Sequence, residues 1–319
     1  MIRRIATIAA LALAWNAGAQ DYPSKPIKII VPFPPAGGTD VLSRALAQSI
    51  TNETKWTFVI DNRPGAGGNI GLDAAAKSPP DGYTIAMGQT ANLAVNPALY
   101  SNMPFDPLKD FAPIVLVSSQ PLIVVVSATS PYKTLAELVD AAKKNPGKVN
   151  MASAGNGTIG HIGGEIFQRR AGIRMTHVPY KGAGPAVTDL IGGSVDCLFG
   201  NTQSVGGLIA GGRLRPLAVT SPKRLATFPN VPTVAESGYP GFEAATWSGL
   251  VAPAGTPQAI VAKLNAAANK ALHQKDLLDK LREDGSTPIG GTPAQFAEFI
   301  KSEHAKWGAA VRDANIKLD

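Results

Sequence analysis

KVNMASAGNGTIGHIGGEIFQRRAG, residues 148–172, is the stretch that decides the fold. KVNMASA is typical of a short strand, GNGTIG is a glycine loop, and HIGGEIFQRRAG has the composition of a helix. The same order of strand, glycine loop and helix recurs along the chain. It begins at KPIKIIVPF (25–33), TFVIDN (57–62) and RMTHVPY (174–180), and the strand-like SVDCLFGN (194–201) leads into a further helical pattern. Strands that alternate with helices in this way indicate an α/β fold.

A long apolar region, residues 112–127, separates these units into two groups. It is rich in β-branched residues and is predicted to be strand, broken at Gln120-Pro121. The segments after about residue 256 have helical patterns. We therefore predict two α/β lobes joined by crossing strands, with the C-terminal helices returning to the first lobe. The predicted limits are residues 20–120 and 222–319 for lobe 1 and residues 121–221 for lobe 2.

The first nineteen residues, MIRRIATIAALALAWNAGA, have the pattern of a secretory signal peptide. Arg3 and Arg4 precede an apolar run that ends at Trp15, and small residues follow up to Ala19. The run is shorter than the roughly 20 residues that a membrane-spanning helix needs. We predict cleavage near Ala19 and export of the mature protein.

Composition excludes several classes of protein. The chain has 319 residues, of which 45% are hydrophobic and 17% charged, which is typical of a globular protein. Its net charge of +7 becomes +5 without Arg3 and Arg4, and the basic residues are scattered, so nucleic acid is a poor partner. The one cysteine, Cys197, lies in an apolar run and is predicted to be a buried small residue.

GNGTIG, residues 155–160, matches the glycine pattern of dinucleotide-binding loops. Such loops need an acidic residue about twenty positions further on, where it binds the ribose. The following strand, RMTHVPYKG, contains no Asp or Glu, and Asp189 falls inside the next helix. We therefore exclude NAD. A glycine turn needed only for packing remains the alternative to a ligand loop at this position.

Glycine loops before helices can bind anions without a basic side chain. The first helical turn leaves backbone N–H groups unpaired and carries about half a positive charge. Glycine lets phosphate, sulfate or carboxylate approach these groups closely. Such loops lie at PPAGGTD (34–40), GAGGNIG (65–71), AGNGTIGH (154–161) and YKGAGP (180–185).

Enzyme motifs are absent or isolated in this sequence. It has no G-x-S-x-G elbow and no phosphate-binding loop of the G-x-x-x-x-G-K-[ST] type. Its four histidines have no metal-ligand spacing, and no pair of carboxylates lies near a glycine loop. We predict a binding protein that is not an enzyme, with no metal and no cofactor.

The chain resembles the tripartite tricarboxylate transporter solute-binding receptors, also called the Bug family, over residues 22–315. Ten sequence blocks carry the resemblance in the order found in the family. They are YPSKPIKIIVPFPPAGGTD, DNRPGAGGNIG, PPDGYTIAMG, NPALY, DPLKDFAP, NPGKVNMASAGNGT, HVPYKGAGPAVTDLIGG, RPLAVTSPKR, VPTVAESGYPGFE and WSGLVAPAGTP.

This resemblance implies a two-lobe periplasmic binding protein fold of type II, also called a Venus flytrap, with a ligand cleft between the lobes. It implies a monomer that closes on one small organic acid, a di- or tricarboxylate or an aromatic acid. The receptor would then deliver its ligand to a membrane permease with a large and a small integral subunit and no ATPase.

The family pattern also implies a set of ligand-binding residues. In lobe 1 these are Phe33, Pro34, Gly37, Thr39, Asp40, Gln89 and Thr90. In lobe 2 they are Ser153, Gly155, Asn156, Thr158, His161, Tyr180, Lys181, Gly182, Ala183 and, as a further polar candidate, Asn201.

Several of these residues have an alternative role that the sequence leaves open. Asp40 is the expected cap of the following helix, because its charge would repel an anion, and Thr39 is the preferred donor. Phe33 has the alternative of a core residue, and His161 that of packing at a helix start. Tyr180 and Lys181 have the alternative of lying on the rim.

The sequence also leaves two functions open for a receptor of this kind. The first is delivery of a carboxylate to a permease, and the second is a periplasmic sensor whose closed form is read by a membrane signalling protein. Lobe closure serves both.

Overall fold

The computed structural model describes residues 22–283, 285–313 and 316, so the predicted signal peptide and its cleavage site near Ala19 lie outside the described residues. The strands of this part of the chain form one continuous hydrogen-bonded sheet. They are β1 (Ile27–Val31), β2 (Phe58–Asn62), β3 (Thr84–Gln89), β4 (Phe111–Ser127), β5 (Asn150–Ser153), β6 (Thr176–Pro179), β7 (Cys197–Asn201), β8 (Leu214–Val219), β9 (Ala245–Pro253) and β10 (Thr287–Pro288).

Helices cover both faces of the sheet. They are α1 (Gly38–Thr54), α2 (Asn69–Ala76), α3 (Asn96–Leu99), α4 (Leu135–Lys144), α5 (Ile159–Ala171), α6 (Ala183–Gly192), α7 (Thr202–Ala210), α8 (Gln258–Leu272), α9 (Lys275–Glu283) and α10 (Pro293–Asp313). A π-helical turn, Ala91–Val95, leads into α3. Among the described residues, no helix combines the length and the apolar character that crossing a membrane requires.

The strand order β2-β1-β3-β9-β4-β7-β5-β6 divides the sheet into two halves. We call lobe 1 the half in which β1, β2 and β3 run parallel and β9 lies antiparallel between β3 and β4. We call lobe 2 the half in which β5, β6 and β7 run parallel and β4 is antiparallel to β7 and β8. The two-lobe α/β fold that the sequence predicts is confirmed.

Strand β4 is continuous, whereas the sequence predicted a break at Gln120-Pro121. It pairs with β9 up to Pro121 and with β7 from Leu122 onward. Proline lacks a backbone N–H and usually weakens a strand. Here Pro121 lies where β4 changes partner, which explains why the strand continues past it. The change of partner supports, as a proposal, the lobe limit between residues 120 and 121.

The second half of β4 is buried on both faces. Leu122, Val124 and Val126 pack in one apolar cluster, and Ile123 and Val125 pack in another on the opposite side. This alternation follows from the two-residue period of a strand. A strand that is buried on both faces has a nearly continuous apolar sequence, as residues 122–126 do.

Helix α10 is attached to β9 through a buried carboxylate. Glu303 Oε2 accepts hydrogen bonds from Trp247 Nε1 at 3.0 Å and from Trp307 Nε1 at 2.8 Å. All three side chains are buried. A buried carboxylate is tolerated when hydrogen bonds satisfy it, and these two hold the C-terminal helix of the described chain against lobe 1.

Local sequence signals account for several helix ends. Thr134 and Glu137 form the reciprocal capping box at the start of α4 that the sequence predicts. Helices α5 and α6 end at Gly172 and Gly193, both in the left-handed conformation. The loops that precede α1, α5, α6 and α7 follow the carboxyl ends of β1, β5, β6 and β7, which is where α/β sheets bind ligands.

Candidate functional site

A cavity of about 150 Å³ lies between the two lobes, and we call it the interlobe cavity. Lobe 1 contributes residues 33–39 together with Gln89, Ala91 and Thr246. Lobe 2 contributes residues from the loops before α5, α6 and α7. A cavity of this volume in a protein core holds a molecule the size of benzene, so the space suits a small organic ligand.

Four helices of the described chain begin at this cavity. Their N-cap residues are Gly37 for α1, Thr158 for α5, Gly182 for α6 and Asn201 for α7, and all four line it. In this part of the chain, no side chain caps any of the four. Their first N–H groups therefore have no intrahelical partner, and each terminus carries about half a positive charge.

No described residue that lines the interlobe cavity has a charged side chain. The polar side chains in its wall belong to Thr39, Gln89, Thr158, Asn201, Ser204 and Thr246. An anion in this space would be held by backbone N–H groups and neutral hydrogen-bond donors. Since these groups are fixed by the fold, they need little reorganisation when the ligand binds.

Asp40 holds the lobe 1 loop in place from outside the cavity. Its carboxylate accepts hydrogen bonds from Ala36 N (2.9 Å), Arg44 Nε (2.9 Å) and Asn62 Nδ2 (3.0 Å). Burial acts to raise the pKa of Asp40, but these hydrogen bonds outweigh it and lower that pKa below its ordinary value. Asp40 does not line the interlobe cavity, so its partners are those of a loop support.

Gln89 and Thr90 connect the cavity wall to the sheet. Gln89 Nε2 donates to Thr39 Oγ1 at a short distance, and both residues line the cavity. Thr90 is fully buried and lies outside the wall. Its Oγ1 accepts a hydrogen bond from Trp247 N at 2.7 Å, which ties β3 to β9 next to the site.

Two stacked histidines support the glycine loop of lobe 2. The rings of His161 and His177 lie 3.9 Å apart and nearly parallel. His161 Nδ1 accepts a hydrogen bond from Gly157 N at 3.2 Å, and His177 Nε2 lies 2.7 Å from Ser153 Oγ. Ser153 Oγ also accepts from Gly155 N. Ser153 and His161 therefore fix the loop from behind, and neither lines the interlobe cavity.

We expect the lobe 2 loop to make the protein sensitive to acid. Burial and the adjacent His177 lower the pKa of His161 to about 3, and burial lowers the pKa of His177 to about 4. In the unfolded chain both titrate near 6.5. The contribution of the two neutral histidines to the free energy of unfolding should therefore be fully present above pH 6.5 and decrease as the pH falls toward 3 to 4. At pH 5, His161 alone should account for about 2 kcal/mol of the loss.

Urea unfolding at pH 7 and pH 5 measures this loss. His161→Asn keeps an oxygen acceptor for Gly157 N but does not titrate, so its stability should depend less on pH than that of the wild type. His273→Asn, the same substitution at an exposed histidine, is the matched control. If His161→Asn and the wild type lose stability equally between pH 7 and pH 5, His161 is not the source of the acid sensitivity.

A second space of about 460 Å³ adjoins the interlobe cavity, and we call it the vestibule. Phe33, Pro34, Ala154 and Gly182 line both spaces. The rest of its wall consists of residues 64–68, Tyr100, Gly155, Asn156 and residues 179–181. Tyr180 is fixed there because its hydroxyl donates a hydrogen bond to Asp189 Oδ2 at 2.6 Å, which raises the pKa of Tyr180 to about 12.

Glycines allow the two lobes to approach closely around these spaces. A Cβ on Gly182 would lie 2.9 Å from Pro34 Cγ, and one on Gly67 would lie 2.8 Å from Asn156 O. A Cβ on Gly157 would overlap Asn96 Oδ1. Since each pair joins one residue of lobe 1 to one of lobe 2, the structure describes a closed arrangement that larger side chains would prevent.

The structure brings most of the predicted ligand-binding residues together. Those in the interlobe cavity are Phe33, Pro34, Gly37, Thr39, Gln89, Thr158, Gly182, Ala183 and Asn201. Those found only in the vestibule are Gly155, Asn156, Tyr180 and Lys181. Asp40, Thr90, Ser153 and His161 lie outside both spaces. Asp40 and Ser153 accept hydrogen bonds from the wall residues Ala36 and Gly155. Ligand contact by any of them stays a prediction.

Sequence reasoning missed several wall residues. Ser204 and Thr246 are polar, while Leu198 and Phe199 supply apolar surface on β7. Ser204 could have been found from its place in the first turn of α7, one turn after Asn201. Thr246 could not, because β9 was not predicted to be a strand.

Comparison with known proteins finds a matching family and similar proteins that cover nearly the whole chain. A family described as the tripartite tricarboxylate transporter family receptor matches residues 42–316. The chain is 41% identical to protein BugT of Bordetella pertussis over 312 residues, which are 98% of this chain and 96% of BugT.

Two solved structures are similar over nearly the whole chain. The R. palustris protein Rpa4515 with adipate is 36% identical with a TM-score of 0.90, and the periplasmic binding protein BugD is 34% identical with a TM-score of 0.89. Each comparison covers 93% of this chain and 100% of the other.

Proposed function

The chain belongs to the tripartite tricarboxylate transporter receptor family, and on that premise we propose that it captures one small organic carboxylate by closing its two lobes around it. The family consists of solute-binding receptors and is not a class of enzymes. The ligand we propose is a di- or tricarboxylate or an aromatic acid. The related protein Rpa4515 binds a compound of this kind, adipate.

One observation carries this proposal. Four helix N-termini meet at the interlobe cavity, whose described wall has no charged side chain. Such a site attracts negative charge and offers an ammonium group or a metal cation no counter-ion. Apolar groups such as Phe33 and Phe199 would cover the hydrocarbon part of the ligand. A small organic carboxylate has both the negative charge and the hydrocarbon part that such a site would bind.

We further propose that the closed form delivers its ligand to a membrane permease with a large and a small integral subunit. Export to the periplasm with cleavage near Ala19, action as a monomer, and the absence of a nucleic-acid partner complete the proposal. A sensor that presents the closed form to a membrane signalling protein is the second candidate. Both require lobe closure, which the close contacts at Gly157 and Gly182 favour.

A thermal-shift screen tests the ligand class. Malonate, succinate, adipate, malate, citrate and benzoate should be compared with glucose and with spermidine as a cation. A ligand at about 100 times its dissociation constant stabilises the folded state by about 2.7 kcal/mol. We expect at least one carboxylate to raise the melting temperature, and no shift with glucose or spermidine. A shift with only the sugar or the cation would overturn the proposal.

A further inference from the structure

The charged groups at the cleft have an uneven distribution. Of the described residues that line the interlobe cavity or the vestibule, Lys181 is the one with a charged side chain, and it lines only the vestibule. It is exposed, whereas the N-cap residues of the four helices that begin at the interlobe cavity are buried (Thr158 and Gly182) or half-buried (Gly37 and Asn201). An anion that enters the cleft would therefore meet two environments, first the vestibule with its ammonium group and then the uncharged interlobe cavity.

We propose that the vestibule is a separate encounter site, in which Lys181 captures a carboxylate before it moves into the interlobe cavity. The inference rests on the proposed function, because it assumes that the ligand is an anion. An exposed ammonium group exerts its attraction through solvent over about one Debye length, so it raises the local concentration of anions at the mouth. The backbone N–H groups further in then replace the water around the carboxylate.

The shape of the two spaces supports this order. They share the walls formed by Phe33, Pro34 and Gly182, and the Pro34–Gly182 contact between the lobes lies at their border. An anion in the inner cavity would contact walls to which Lys181 does not belong. A charged residue in this position should change the association rate constant of the ligand more than its dissociation rate constant.

Stopped-flow binding kinetics test the encounter site, with the six acids of the thermal-shift panel as probes. In Lys181→Glu at low ionic strength, we expect the association rate constant to fall about threefold to tenfold, with a dissociation rate constant that does not rise. The difference from the wild type should shrink in 0.5 M NaCl. Lys144→Glu has the same charge change on α4 of lobe 2, lines neither space, and should bind at the wild-type rate.

The outcomes separate the two proposals. If none of the six acids of the thermal-shift panel binds the wild-type protein, the proposed function fails and the encounter site fails with it. If the acids bind but Lys181→Glu leaves the association rate unchanged, only the encounter site is wrong. A raised dissociation rate with an unchanged association rate would place Lys181 in contact with the bound ligand, and a loss of rate equal to that in Lys144→Glu would reduce its effect to net charge. Either result overturns the proposal.

Discussion

Replacing Gly157 with alanine should weaken carboxylate binding at least 100-fold while the two lobes remain folded. The new Cβ would overlap Asn96 Oδ1 in lobe 1 and lie 3.4 Å from the Tyr100 ring. Asn96 is fully buried, and its Nδ2 donates to Asn69 Oδ1 at 2.7 Å and Gly67 O at 3.2 Å, so it cannot move aside easily. Blocked closure would leave the ligand held by one lobe only.

The matched control is Gly193→Ala. Gly157 and Gly193 share a φ of 79°, but a Cβ on Gly193 would meet nothing within 4 Å. Both variants should therefore lose about 1–2 kcal/mol of folding stability from the left-handed backbone. Isothermal titration calorimetry with the best acid of the thermal-shift panel should show the affinity loss only in Gly157→Ala. Similar affinities in the two variants would assign the loop a packing role.

Replacing Glu303 with alanine should destabilise the protein by about 3 kcal/mol. The indole N–H groups of Trp247 and Trp307 would both lose their acceptor, and a buried unsatisfied donor costs about 1–3 kcal/mol. Glu303→Gln keeps one oxygen acceptor and should lose less than half as much. Urea unfolding followed by far-ultraviolet circular dichroism measures the difference without relying on tryptophan fluorescence.

Glu298→Ala provides the comparison within the same helix. Glu298 is exposed and its ion pair with Lys301 spans 3.9 Å, so its removal should cost less than 0.5 kcal/mol. Equal losses at positions 298 and 303 would show that the tryptophan hydrogen bonds contribute nothing beyond helix propensity.

Local patterns in the sequence were enough to predict most of the elements. The capping box at Thr134 and the strands before the glycine loops were correctly predicted, because these signals lie within a few residues of each other. Buried Cys197 also agrees with its apolar surroundings, and burial raises the pKa of its thiol. Strand β9 was missed, because its identity depends on pairing with β3 and β4, which are distant in the sequence.

The candidate site was predictable in its loops but not in its surfaces. The strand-loop-helix pattern indicates where helix N-termini lie, so Gly37, Thr158 and Gly182 could be placed at a cleft. The pattern does not say which side of a loop faces the ligand. Asp40 and His161 lie within the same loops but support them from behind, which depends on Arg44, Asn62 and His177 from other elements.

The position of β9 in the sheet has a consequence for the order in which the molecule assembles. Strand β3 pairs with β9, which follows it by more than 150 residues, so one edge of the first three strands stays unpaired until most of the chain has been made. Lobe 2 has its own strands by residue 219 and can form earlier. Pairing between strands that are distant in the sequence slows folding. Until β9 pairs with β3, the open edge of β3 can pair with the wrong strand. We therefore expect refolding in two phases, of which the slower follows the docking of β9.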